Sequence, residues 1–209
     1  MEMKNPIGQP PRAVVCDLDG TLVWQGQNQP TERTLRCFER LRQRGVLIVV
    51  ATGRIRQLVP QKIETLADYF VCGNGGIVLD AAGRVLHEIS FTPDLVEELT
   101  AFCDKIGGAL SFSFPSGYGV YRDFDRISQM YLSCTDRPLP LRDESGRRDR
   151  HLTEPPFSSF LIGNEGRVYA YLRNQPRLQG ARQWQDQFDI YPVATTKAVG
   201  VSEVLHRRG

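Results

Sequence analysis

The stretch Ala13-Val14-Val15-Cys16-Asp17-Leu18-Asp19-Gly20-Thr21 decides how this chain is read. Four apolar residues break off at Asp17, the pattern of a short strand buried on both faces in a parallel sheet. Asp17 and Asp19 stand at i and i+2, so their carboxylates point to the same side where the chain stays extended. Aspartate is a nucleophile for phosphoryl transfer and forms an aspartyl-phosphate. An anionic nucleophile meeting an anionic phosphate needs a cation to offset the repulsion. Magnesium suits this task because it takes one or two carboxylates and completes its shell with phosphate oxygens and water. Gly20 permits a tight turn whose amides can face a phosphate. An Asp-Gly pair alone is also an ordinary turn former; the whole string is far more specific than the pair.

Working outward, Pro30 and Thr31 open a helical stretch to Arg44, with Leu35, Phe38 and Leu41 on one side, Thr31 as N-cap and Gly45 just past the end. A second apolar run, Val46 to Ala51, ends at Thr52-Gly53-Arg54, and a helix is expected over Ile55 to Asp68 with Pro60 near its first turns. A third run, Tyr69 to Cys72, ends at Gly73-Asn74-Gly75-Gly76. Strand, helix, strand, helix, strand predicts a parallel sheet with right-handed crossovers. Ligands of open α/β sheets bind beyond the carboxyl ends of strands, so the three polar clusters should converge.

The middle reads differently. Ile77 to Asp80 and Val85 to Ile89 flank a hairpin turn, Pro93 to Ile106 is helical, and Ala109 to Phe114, Gly119 to Arg122 and Ser158 to Ile162 are strands. Arg167 to Arg173 is part of a helix, Phe188 to Val193 a strand and Ala198 to Arg208 a last helix. The expected fold class is α/β, a Rossmann-like core with a parallel sheet plus an inserted α+β domain. The expected division is 1–76 for the first part of the core, 77–182 for the insert and 183–209 for the rest of the core.

The opening string, with Ala51-Thr52-Gly53-Arg54 and Val193-Ala194-Thr195-Thr196-Lys197-Ala198, resembles the haloacid dehalogenase (HAD) superfamily. An insert placed after Asn74-Gly75-Gly76 resembles its Cof-type members with a type IIB cap. The resemblance spans nearly the whole chain and is strongest over residues 13–76. It implies a magnesium-dependent phosphatase acting on a small phosphorylated metabolite, such as a sugar phosphate. By position, Asp17 would be the nucleophile and Asp19 the acid and base. Thr52, Gly53, Lys197 and Gly20 would bind the phosphoryl group, and Arg54 and Asn74 would lie at the junction of core and cap. Asp17 and the Asp19 carbonyl would hold Mg2+. Ala198 departs from the glycine usual after the motif lysine. Two other readings stay open: a non-catalytic relative that binds a phosphorylated ligand or partner protein, and a phosphomutase or phosphotransferase.

The family's acidic fourth motif is not found after Lys197, where the acidic residue is Glu203. The expectation is a chain cut short before that motif, with weakened metal binding and slow or absent hydrolysis. Ala13 to Cys16 would then be an exposed apolar edge, open to pairing in a homodimer.

Bulk properties narrow the classes. Net charge is +2, from 26 basic and 24 acidic residues, which gives no reason to expect nucleic acid. The densest basic run, Arg142 to Arg150, is interrupted by Asp143, Glu144 and Asp149 and is expected as a solvated loop. Cys16, Cys37, Cys72, Cys103 and Cys134 are odd in number and widely spaced, as for reduced thiols in a cytoplasm. His87, His151 and His206 lack ligand-like spacing, so no zinc site is expected. Met1 to Pro11 lacks a signal-peptide apolar run, and no stretch is long enough to span a membrane.

Overall fold

The computed structural model describes residues 11–24, 29–132, 138 and 140–208. Cys134 and most of the polar Met1–Pro11 segment lie outside these residues. Two sheets organise the chain, one of five strands and one of six.

The first sheet is built from β1 (Ala13–Cys16), β2 (Leu47–Ala51), β3 (Tyr69–Cys72), β4 (Ile77–Asp80) and β5 (Val85–Glu88), in that spatial order. β1, β2 and β3 run parallel, with Val14 opposite Ile48 and Val50 opposite Phe70. β3, β4 and β5 are antiparallel. Between β1 and β2 lies α1 (Glu32–Gln43), capped by the Thr31 hydroxyl accepting from the Thr34 amide at 3.2 Å. Gly45, at φ 71°, ends the helix as expected. The long helix expected over Ile55–Asp68 is instead a 3₁₀ turn, Arg56–Leu58, and a single α-turn, α2 (Gln61–Glu64). Pro60 is the reason: it cannot donate, and it holds Val59 extended at ψ 131°. β1 forms one edge of this sheet, with Val15 exposed.

The second sheet begins after α3 (Pro93–Ile106), which ends at Gly107 in the left-handed region, φ 67°. It contains β6 (Ala109–Phe114), β7 (Gly117–Arg122), β8 (Leu141–Asp143), β9 (Ser158–Ile162), β10 (Leu178–Trp184) and β11 (Gln187–Pro192). Their order is β10-β11-β9-β6-β7-β8. Helices α4 (Phe124–Leu132) and α5 (Glu165–Arg173) complete this layer, and α6 (Lys197–His206) returns to the first sheet. Along β6, Leu110, Phe112 and Phe114 enter one apolar core with Leu95 and Leu99 of α3 and Val168 of α5. Ser111 and Ser113 take the alternate positions. On the first sheet, Val204 of α6 packs with Val49, Val71 and Val78.

The domain expectation therefore shifts at both borders. The hairpin β4–β5, expected in the insert, extends the first sheet because β4 pairs along β3. β11, expected in the core, pairs antiparallel with β9 and β10 in the second sheet. The second sheet with its helices thus runs from about α3 to Pro192. Arg142–Arg150 also differs from a fully solvated loop. Arg150 is buried, with its guanidinium 4.1 Å from the centre of the Phe114 ring and its Nε 3.0 Å from Glu154 Oε2.

Candidate active site

The three strand-end clusters meet, with the start of α6, in a cleft of about 410 Å³ between the two sheets. Asp17 lies just past β1. Its Oδ1 accepts from the Leu18 amide at 2.7 Å, and its Oδ2 meets Lys197 Nζ at 2.9 Å. Leu18 is fully buried and anchors the turn that follows, where Leu22 and Val23 both donate to the Leu18 carbonyl. Gly20, at φ 73°, closes that turn by donating to the Val23 carbonyl at 2.8 Å.

Asp19 faces Arg54, which arrives from the end of β2. Arg54 Nε lies 3.0 Å from Asp19 Oδ2 and Nη2 2.6 Å from Oδ1, a bidentate fork. Arg54 Nη1 also donates to the Leu58 carbonyl at 3.2 Å. The Arg54 side chain is 16% exposed and that of Asp19 56%, so the arginine is the fixed partner. Thr52 is fully buried; its hydroxyl accepts from the Arg54 amide at 3.1 Å and its carbonyl from the Asn74 amide at 3.0 Å. Thr52 thus ties the β2 end to the β3 end.

Lys197 is placed by a close approach of two backbones. It opens α6 behind the N-cap Thr196, whose hydroxyl accepts from the Val199 amide at 3.1 Å. Gly75, at φ 106°, packs against the Thr196–Lys197 peptide so tightly that a Cβ there would lie 2.0 Å from the Thr196 carbonyl oxygen. Only glycine fits that position. Gly200 also lies close to Val71, where a Cβ would come within 2.4 Å of Cγ1.

Of the residues expected at the site, Asp17, Asp19, Gly53, Arg54, Asn74 and Lys197 line the cleft. Gly20 and Thr52 stand in the supporting turns and do not line it. The second sheet supplies an opposite wall that sequence reasoning did not single out, including Asp189, Gln183, Gln187, Tyr131 and Phe160. Of the aromatic residues on β6 and β7, Phe112, Phe114 and Tyr121 are core, whereas Tyr118 reaches the cleft. Asp189 is held by Gln183 Nε2 at 2.6 Å and Asn74 Nδ2 at 3.5 Å. Burial, chiefly, pushes its carboxyl up to about 7, with Asp19 adding to the rise and the two amides and Lys197 opposing it. The alternation Gln187-Phe188-Asp189-Ile190-Tyr191 carried the signal: Phe188 and Ile190 are core, so Asp189 faces the other way.

Hard oxygen donors suit magnesium, and the site offers the Asp17 carboxylate, 44% exposed, whereas both oxygens of the Asp19 carboxylate are taken by Arg54. Among the described residues there is no cluster of three or more His, Cys, Asp or Glu arranged for a metal. No helix among them is long and apolar enough to cross a membrane.

The sequence matches the family model for haloacid dehalogenase-like hydrolases over residues 14–209. It is 33% identical over 205 residues to a putative bifunctional phosphatase/peptidyl-prolyl cis-trans isomerase of Streptococcus pyogenes serotype M6. That match takes in 95% of this chain and 41% of the relative. It is also 36% identical over 89 residues to an HMP-PP phosphatase of Shigella flexneri serotype 5b, covering 41% of this chain and 32% of that protein. The chain thus spans less than half the length of the curated relatives it matches. In structure it resembles a HAD-superfamily phosphatase from Bacteroides thetaiotaomicron, with TM-score 0.79 and 18% identity over 97% of this chain and 75% of the other. It is likewise similar to a HAD subclass IIB sugar phosphatase, with TM-score 0.79 and 20% identity over 95% of this chain and 76% of the other. The chain belongs to the haloacid dehalogenase-like hydrolases.

Proposed function

We propose that this chain carries the catalytic cleft of a phosphatase that hydrolyses small phosphorylated metabolites through an aspartyl-phosphate on Asp17. The observation that carries this reading is the pairing of Asp17 with Lys197 at 2.9 Å in a cleft shared with Asp19 and Arg54. Asp17 attacks phosphorus in line with the leaving oxygen, and the P–O bond to the leaving group breaks. Lys197 stabilises negative charge on the equatorial oxygens, the electrostatic role that dominates phosphoryl transfer. Asp19 gives a proton to the departing oxygen, then takes one from the water that cleaves the aspartyl-phosphate. The Arg54 fork fixes the plane of the Asp19 carboxyl and leaves each oxygen a further lone pair for this transfer. Magnesium, held by the Asp17 carboxylate and the Asp19 carbonyl with phosphate oxygens and water, would supply the positive charge that lets one anion approach another.

The test is magnesium-dependent phosphate release from a panel of sugar and heterocycle phosphates, run beside Asp17→Asn. Release that needs both Asp17 and the metal supports the proposal; release that survives Asp17→Asn overturns the nucleophile. Saturable binding of a phosphate analogue without turnover would favour the ligand-binding reading. Transfer to an added sugar hydroxyl in place of water would favour a phosphotransferase.

A further inference from the structure

β10 is the outer strand of the second sheet and pairs with β11 on one side only. The phase of that pairing decides which backbone groups are left over. The Val193 amide donates to the Arg177 carbonyl at 2.9 Å, next to the opposed residues Leu178 and Pro192. Bonded and non-bonded pairs alternate along an antiparallel ladder. Gln179 and Ala181 therefore turn their N–H and C=O toward β11, and Leu178, Gly180 and Arg182 turn theirs outward. The bond from the Gly163 amide to the Asp186 carbonyl fixes the same phase from the far side of β11. The Leu178 amide donates to the Gln175 carbonyl at 3.1 Å, but among the described residues the outward groups of Gly180 and Arg182 have no partner.

The other sheet edges are shorter or covered. β8 has three residues and β1 four, and on β5 the Leu86 carbonyl accepts from Arg207 Nη2 at 2.6 Å. β10 has seven residues, with no proline and no carboxylate among them. Its one charge, Arg182, is matched within the chain by Glu165 at 2.6 Å. The bulge that interrupts the strand lies beyond Arg182, so Leu178 to Arg182 stays regular. A long open edge of this kind is a template for another strand. The spacing of the free groups says which strand fits. With a twofold axis at Ala181, Gly180 of one copy lies opposite Arg182 of the other, and each such pair exchanges both of its backbone bonds. That register uses all the free groups of both residues. It also sets each arginine side chain against a glycine, so like charges do not oppose each other. We infer that β10 is a self-pairing edge, through which two copies of this chain join antiparallel at Gly180 and Arg182 and merge their second sheets into one.

Sedimentation velocity on the full chain reads the association directly. An interface this narrow belongs to the weak, transient class, so monomer at about 1 µM should give way to dimer by about 200 µM. Arg182→Pro removes the outward amide and leaves the β10–β11 bonds in place, so association should weaken at least about tenfold with the melting temperature nearly unchanged. Arg182→Ala loses the Glu165 pair but keeps the amide, and should still dimerise. Amide hydrogen exchange gives a second reading that needs no variant to fold. As concentration rises, the Gly180 and Arg182 amides should gain protection, while those of Gln179 and Ala181, bonded to β11 in both states, should not change. A chain that stays monomeric throughout, or a dimer that survives in folded Arg182→Pro, would overturn the proposal. So would a dimer lost equally in the alanine and proline variants, or protection that appears along β1 instead.

Discussion

The two walls of the cleft are built by different rules. On the core wall each chemical group sits where a strand stops or a helix starts: Asp17 after β1, Arg54 after β2, Asn74 after β3, Lys197 at the first position of α6. Such positions are contiguous in sequence with an apolar run, and their backbone is fixed by short local hydrogen bonds. On the opposite wall Gln187 and Asp189 are alternate residues of an antiparallel strand, facing the cleft because Phe188 and Ile190 face the core, and Tyr131 joins them from α4. The first wall has a motif; the second has only a periodicity. Reaction chemistry needs several groups held in fixed relation, which tight turns supply, whereas a ligand-reading surface can vary one strand position at a time.

The largest effect should come from breaking the core wall at its centre. Asp17→Asn keeps the size and the bond from the Leu18 amide but removes the proposed nucleophile, so phosphate release should fall at least about 10³-fold. Because the Asp17 side chain is 44% exposed, the melting temperature should barely move. A variant that loses activity and unfolds together would instead make Asp17 a structural residue.

Lys197→Met should come next. Removing one preorganised cation aimed at developing charge costs on the order of 10²–10³ in rate, about 2.7–4 kcal/mol. Lys197→Arg, which keeps the charge but changes its geometry, should recover part of it. Equal rates for the methionine and arginine variants would show that the charge at this point is not used.

Gly75→Ala tests the scaffold of the same wall. Its Cβ would meet a backbone carbonyl 2.0 Å away at a φ of 106°, so either the Asn74–Gly76 loop or the start of α6 must move. A loss of about 3 kcal/mol is expected, lowering the melting temperature by roughly 6–12 °C. Activity at low temperature should fall too, because Lys197 is displaced. A stable Gly75→Ala would mean that the approach of the two backbones is looser than the geometry indicates.

How much was legible follows from the same contrast. β1, β2 and β3 could be read because each is a short run of apolar residues ended by a polar cluster. The ends of α1 carried their own chemistry in Thr31 and Gly45. The Ile55–Asp68 helix was over-read because Pro60 ended it through its neighbour Val59, a backbone effect that apolar spacing does not register. β10 went unread because it is largely exposed and includes Gly180 and Arg182, so it has little apolar alternation. With β10 unseen, β11 had no antiparallel partner in the sequence and was assigned to the wrong sheet. Asp189 was lost with it.

Asp189 gives the smallest effect and the one most specific to the opposite wall. Its carboxyl is pushed from an ordinary 3.8 up to about 7, so the folded chain holds a proton there that the unfolded chain releases above about pH 4. The sign follows: between those values the unfolded state binds fewer protons, so folding stability falls as pH rises. The contribution is full below pH 4 and lost by the time pH passes 7. Asp189→Asn cannot titrate, so the stability of the native chain minus that of the variant should drop from pH 4 to pH 8. Gln183, Asn74, Asp19 and Lys197 all act on this carboxyl, and they remain in both chains, so the difference isolates Asp189. The expected drop is on the order of 1–2 kcal/mol for a group that is partly shielded rather than sealed, a shift of a few degrees. A difference that stays constant from pH 4 to pH 8 would mean the carboxyl is well solvated. In that case that wall would carry an ordinary surface aspartate rather than one shielded inside the cleft.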